Sequence, residues 1–415
     1  MKHARVLRLA GATLTVAAAL ACSTQPPGGS AGATGPGVTA DTISLGYLTD
    51  LSGPISGQGK VNLAGTRMYI DRLNASGGVC GRKIKLVVED HGYDVQKAIS
   101  LYQKTTPNVL GYVSLLGSPQ LEALKGRITK DHVVTGAQGW DSHILSNPDT
   151  LVYGTPYDLE MVNGLSYLLD KKVIKRGDTV GHIYWQGSYG EDALLGSKWA
   201  AAKLGLKLAS VQVDPSESDM TRQVRGLRAK GAKALLLSTL PTQTASVASV
   251  SSSAGWKVPI LGNNATFLPQ LLKTPAAGPV KDQLYLVTSR LPYGTDDPAT
   301  ERIKAAFEKA KPKGVAPEDG INVGWATAQV YTDVLKKACG SLTRQGVEKA
   351  LRASTAVDTG GLLPTLDFST VGAPPSRGVY ISRPDSHRPG GLRLLTKKLY
   401  TADIAKQYKT PGQPD

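Results

Sequence analysis

The chain has 415 residues, of which 20% are charged, 41% hydrophobic and only 6% aromatic. At about 150 residues per domain that is chain enough for two or three domains with full cores, which excludes a small disulfide-stapled scaffold and global disorder. Lys and Arg outnumber Asp and Glu by 48 to 33, a net +15, yet the cations are scattered. With no Cys/His finger, no clustered basic helix and no RNA-binding aromatic strand, nucleic acid is not an expected partner.

Lys2, Arg5 and Arg8 precede an uncharged apolar run from Leu9 to Ala21. The run is too short for a mature membrane span and suits an export signal. It ends Ala19-Leu20-Ala21-Cys22, which resembles a bacterial lipoprotein signal with its lipobox, although Leu is commoner where Ala19 stands. That resemblance implies a signal peptide over residues 1–21, lipidation of Cys22, a membrane anchor through the lipid, and a flexible tether over residues 22–40 rich in Gly, Pro, Ser and Thr. The alternative is a plain secretory signal cut near Ala21. Cys80 and Cys339 are then an even pair in an oxidising compartment, which predicts a Cys80–Cys339 disulfide; the alternative is two buried free thiols. The six histidines show no ligand spacing, so no metal site and no cofactor is expected.

Short apolar runs alternate with amphipathic stretches through the rest of the chain. Strands are predicted at 43–48, 83–88, 112–116 and 133–135, separated by helices, among them one over Gly59 to Leu73. Asp94 is a candidate N-cap for the helix carrying Val95, Ala98, Ile99 and Tyr102. The rhythm restarts near Tyr153 to Tyr157, with strands at 179–184, 207–213, 234–238 and 284–288. Helices follow at 299–309, 322–338 and 343–353, then a Gly/Pro-rich stretch with short strands, and a frayed end at 410–415. The β-α-β-α order predicts an α/β fold of two doubly wound parallel-sheet lobes.

Specific residues then match a family. Gly46-Tyr47-Leu48-Thr49-Asp50-Leu51-Ser52-Gly53-Pro54 is similar to the first-strand signature of type I periplasmic solute-binding proteins of the branched-chain amino acid class. Asn74-Ala75-Ser76-Gly77-Gly78-Val79-Cys80-Gly81-Arg82-Lys83-Ile84 resembles that family's link from first helix to second strand, and Ser188-Tyr189-Gly190 its second-lobe helix start. The resemblance runs from about Asp41 to about Phe368. It implies a Venus-flytrap protein, monomeric, that closes on a small solute and delivers it to an ABC transporter permease. Three crossovers should fall near Tyr153–Thr155, Val287–Ser289 and Leu362–Asp367. Lobe 1 would comprise residues 41–154 and 288–363, lobe 2 residues 155–287 and 364–400, and residues 401–415 a C-terminal tail; Cys339 then returns to the lobe that holds Cys80.

In such a fold the ligand lies beyond the carboxyl ends of the strands, where helix N-termini favour a carboxylate. The resemblance assigns Gly117 and Ser118 to the carboxylate loop, and Ala137 and Gly139, with Trp140 beside them, to a second contact. It makes Tyr189 an aromatic wall, and places Leu240 and Asn264 where amino-acid binders have Tyr and an acidic partner for the ligand ammonium. A desolvated ammonium needs a counter-charge, and Asn264 offers only a dipole. Asp141 or Asp158 is a candidate substitute. An aromatic or other non-amino-acid solute therefore stands beside amino acids, and Trp140, Trp185, Tyr189, Phe267 and Trp325 are candidate lining. Each residue also has an ordinary structural reading: Ser118 as an N-cap, Trp325 as core, and Arg290, just past a crossover, as a solvated surface charge, the alternative for Arg290 being a carboxylate clamp. No nucleophile elbow, zinc-binding helix or Walker loop is present, so catalysis is not expected; a ligand sensor is the alternative function.

Overall fold

The computed structural model describes Met1 and residues 33–414. Cys22 and, apart from Met1, the predicted signal peptide over residues 1–21 lie outside the described residues. Among the described residues, no helix is long and apolar enough to cross a membrane.

The described residues build two large sheets and one two-stranded pair. The first contains β2 (Thr42–Thr49), β3 (Lys83–Asp90), β4 (Tyr112–Leu116), β5 (Thr135–Gln138) and β6 (Thr150–Val152), all parallel in the order β3-β2-β4-β5-β6. Every residue of β4 and β5 is buried, as expected of central parallel strands covered on both faces. A two-residue strand, β1 (Ala33–Thr34), lies outside this sheet and pairs with β12 (Ser341–Leu342).

The second sheet takes β7 (Thr179–Trp185), β8 (Lys207–Val213), β9 (Ala232–Ser238), β10 (Ile260–Gly262), β11 (Leu284–Thr288), β13 (Tyr380–Pro384) and β14 (Leu392–Leu394) in the order β14-β13-β11-β10-β9-β7-β8. Its first five strands are parallel and repeat the strand order of the first sheet. β13 and β14 are antiparallel at the edge, so this sheet is mixed where the sequence predicted only parallel strands. β6 and β10 escape a periodicity reading because each is three residues long. The strand predicted at 133–135 begins at Thr135 instead, since the left-handed cap at His132 still turns the chain there.

The chain passes between the sheets three times: after β6, after β11, and between the helix Arg344–Arg352 and β13. Thr155 ties these passages together. Its backbone N–H donates to Ser289 Oγ at 3.0 Å, and its hydroxyl donates to the Gly378 carbonyl at 2.7 Å. Cys80, between the helix Ser56–Ala75 and β3, is bonded to Cys339, just beyond the helix Asp319–Lys337, with the Cα atoms 5.5 Å apart.

Both chain ends depart from expectation. The reading of residues 22–40 as tether fails from Ala33 onward: Gly35 N–H donates to Leu342 O at 2.8 Å and Ser44 N–H to Gly37 O at 2.7 Å. Backbone pairing needs no apolar side chain, so composition concealed it. The expected frayed C-terminus is docked through Gln413. Arg377 donates to Ala405 O (2.6 Å), Tyr408 O (2.7 Å) and Gln413 Oε1 (3.1 Å), and buried Thr410 donates to Gly372 O at 3.1 Å.

Candidate functional site

In both sheets the strand order reverses direction between the first and third parallel strands: between β2 and β4, and between β7 and β9. Loops leaving the carboxyl ends on either side of such a switch point diverge and leave a crevice. The two crevices share one cavity holding about 550 Å³ of space free of atoms, part of it open to solvent. Ile55 and Gln58 reach it from beyond β2, Gly117 and Ser118 from β4, Gln138 and Trp140 from β5. Trp185 and Tyr189 reach it from β7, Leu240 from β9, Asn264 from β10 and Arg290 from beyond β11.

The first-sheet side is built around a helix N-terminus. Gly117 has φ 112°, a conformation that suits glycine, and turns β4 directly into the helix Ser118–Asp131. Gly139 is needed for close approach: a Cβ there would lie 2.6 Å from Ser118 Oγ and 2.7 Å from Ser118 N. Gly139 is thus a backing residue that seats Ser118, and it does not line the cavity. Ala137 also sits one layer back, its carbonyl accepting the Trp140 indole N–H at 3.1 Å. The other sequence-predicted positions, Gly117, Ser118, Trp140, Tyr189, Leu240 and Asn264, all line the cavity.

The second-sheet side is aromatic and fixed. Tyr189 stands edge-on to Tyr157, with ring centres 4.8 Å apart, and donates its hydroxyl to Asn264 O at 2.7 Å and Asn263 Oδ1 at 2.8 Å. Trp185 donates to Gln243 Oε1 at 2.9 Å. Phe267 lines an adjoining chamber that shares Gln58, Ala265, Arg290 and Val323 with the main cavity. Trp325 lies elsewhere, edge-on to Tyr69 at 5.4 Å with Arg72 over its ring. Asp158 accepts from Leu159 N–H at 2.6 Å, and neither it nor Asp141 lines the cavity.

Sequence reasoning missed Gln138 and Tyr157, and left Arg290 open between a surface charge and a carboxylate clamp. Arg290 is 8% exposed and not a solvated charge. Its Nη1 donates to Asn264 Oδ1, and its Nε, without a hydrogen-bond partner, stands 3.9 Å from Asp319 Oδ2. Gln138 Nε2 is also buried without a partner. The cavity is therefore lined by a guanidinium, the Gln138 amide and a helix N-terminus, which together favour an anion.

Two buried acids flank Arg290. Burial pushes Asp319 up to about 6, against the pull of Arg290 and the Tyr293 N–H. Burial pushes Glu160 up to about 8, against the Asn264 N–H, which it accepts at 3.0 Å, and the Arg290 charge. Glu160 is thus mostly protonated at neutral pH, and the positive charge of Arg290 is only partly compensated. A raised carboxyl pKa means the folded chain holds a proton that the unfolded chain releases. Its stabilising effect is complete below about 4.5 and is lost as pH rises through about 8. Glu160→Gln removes this titration. The melting curves of the two chains should diverge from pH 5 to pH 8, with the variant gaining on the order of 2 kcal/mol at the upper end. Parallel curves across that range would show that Glu160 is not held protonated.

A family model for periplasmic binding proteins matches residues 42–389. Among curated relatives, the Leu/Ile/Val-binding protein homolog 7 of Brucella abortus (strain 2308) is 24% identical over 330 residues, covering 75% of this chain and 81% of that one. A leucine-, isoleucine-, valine-, threonine- and alanine-binding protein of Pseudomonas aeruginosa is 29% identical over 76 residues, only 20% of its length. Among solved structures, a fatty acid ABC transporter substrate-binding protein from Thermomonospora curvata is 39% identical with a TM-score of 0.88, covering 92% of this chain and 98% of that one. A branched-chain amino acid ABC transporter protein from Thermus thermophilus with bound valine shares the fold at 18% identity, with a TM-score of 0.78 over 89% of this chain and 99% of that one. The chain belongs to the periplasmic binding protein family, as a type I member of the branched-chain amino acid class, an extracytoplasmic group of solute-binding proteins.

Proposed function

We propose that this protein is the substrate-binding component of an ABC importer and that its cleft takes a monocarboxylate with an apolar body. The observation that carries the reading is the pairing of buried Arg290 and the Ser118 helix start with the aromatic wall of Trp140, Tyr157 and Tyr189 in one cavity. An α-amino acid fits less well. Asn264 brings no counter-charge for an ammonium, and its side-chain oxygen and its carbonyl already accept from Arg290 and Tyr189. The fatty acid transporter relative at 39% identity supports an acyl carboxylate. In this reading the protein is a monomer that works beside a permease, anchored to the outer face of the membrane through a lipid on Cys22; the lipobox residues Ala19 to Cys22 support the anchor.

A thermal-shift and calorimetric series of octanoate, hexadecanoate, octanamide, leucine and valine tests the reading. The two carboxylates should bind and stabilise the protein, by about 2.7 kcal/mol at a hundredfold excess over Kd. Octanamide, which lacks the charge, and the two amino acids should not. Stabilisation by leucine or valine but not by either fatty acid would overturn the ligand class.

A further inference from the structure

At the far end of the helix Ser118–Asp131, about 20 Å from the cavity at 1.5 Å per residue, three chemistry-bearing side chains meet. His132 caps that helix, Asp149 immediately precedes the edge strand β6, and Glu348 belongs to the helix Arg344–Arg352. One ligand atom from each lies within 4.8 Å of the others. His132 Nδ1 is 4.0 Å from Asp149 Oδ2 and 4.0 Å from Glu348 Oε2. The histidine spacing along the chain gave no sign of this group, because its members come from separate elements.

Asp149 sets the group apart from an ordinary cluster of exposed side chains. Its side chain is 0% exposed, and neither carboxylate oxygen has a hydrogen-bond partner. Buried carboxylates are ordinarily hydrogen-bonded, paired or coordinating. The nearby cation Arg352 makes no hydrogen bond to Asp149: its Nη atoms donate to Phe368 O at 2.7 Å and to Pro148 O and its buried Nε has no partner, so it acts on Asp149 and Glu348 through its charge alone. His132 and Glu348 are partly exposed, with side chains 56% and 28% accessible, so an ion has a path in and room for water.

We propose that His132, Asp149 and Glu348 form a divalent-cation site suited to zinc. One imidazole and two carboxylates are a donor set that borderline cations accept and that does not favour magnesium or calcium, which take oxygen ligands only. Bonds of about 2.0–2.1 Å in a tetrahedral site put neighbouring ligand atoms about 3.3 Å apart. Small rotations of the two surface side chains toward fixed Asp149 close the present separations to that value, with water as the fourth ligand. The ion would fasten the helix end, the short edge strand and the later helix to one another, and would stabilise the folded chain as any ligand bound only by the native state does. The site is independent of the solute reading.

The test is calorimetric titration of the tag-free, chelator-stripped full chain with zinc chloride, and separately with magnesium chloride. One zinc per chain should bind with proton release, and magnesium should not. Asp149→Asn and His132→Asn should each weaken zinc binding at least thirtyfold, while the far-ultraviolet circular dichroism spectrum and cooperative thermal unfolding of the zinc-free chain are retained. Asp149→Asn removes a buried charge and is expected to fold. Absence of stoichiometric uptake, or uptake that both variants leave unaltered, overturns the assignment.

Discussion

Replacing Arg290 with Met should weaken octanoate binding by about a hundredfold or more while the chain stays folded. Arg290 follows β11 on the passage between sheets and is held from both sides, by Asn264 beyond β10 and by Asp319 at the start of the helix Asp319–Lys337. A carboxylate in the cavity meets a cation whose orientation is already fixed, so little ordering cost opposes the contact. Truncating one partner of a buried, hydrogen-bonded charge pair costs about 2–5 kcal/mol, which is the source of the expected factor. Arg290→Lys keeps the charge but loses the planar fork, and should fall between wild type and Met. Isothermal titration of the three proteins measures the effect. Equal affinities would place the ligand head at the Ser118 helix start alone.

The second large effect concerns the covalent link. A chain carrying Cys80→Ser and Cys339→Ser should lose about 2–4 kcal/mol, and about 5 kcal/mol at the chain-entropy limit, because the bond closes a loop spanning 259 positions of sequence. The loss should concentrate in the first-sheet half, where the linked segments pack, so urea unfolding followed by residue-level hydrogen exchange is the informative measurement. A uniform loss across both sheets would mean that the two halves unfold as one unit. Unchanged unfolding would show that the bond constrains nothing the fold does not already hold.

Much of the scaffold was legible because parallel central strands are continuous apolar runs. Ile43 to Leu48, Tyr112 to Leu116 and Ala234 to Ser238 declare themselves by composition, and the helices between them by period. What stayed hidden has physical reasons. Strands of three residues such as Ile260–Gly262 carry no period. Residues Ala33 to Gly37 dock through backbone atoms, to which side-chain composition is blind. The family resemblance brought Ser118, Trp140 and Tyr189 to the cavity, but Ala137 and Gly139 support it from behind. For Arg290 the choice between surface charge and carboxylate clamp could not be made from sequence, because its burial depends on Asn264 and Asp319 arriving from other elements. The cluster of His132, Asp149 and Glu348 was invisible for the same reason.

The bonds from Thr155 to Ser289 and Gly378 bear on how the molecule can move. Three segments of chain held side by side by these bonds would act as a door hinge and not as a ball joint, because twisting or sliding would have to break the bonds and swinging would not. In the proposed importer, a permease that gauges that one angle would learn in a single measurement whether the cleft is occupied.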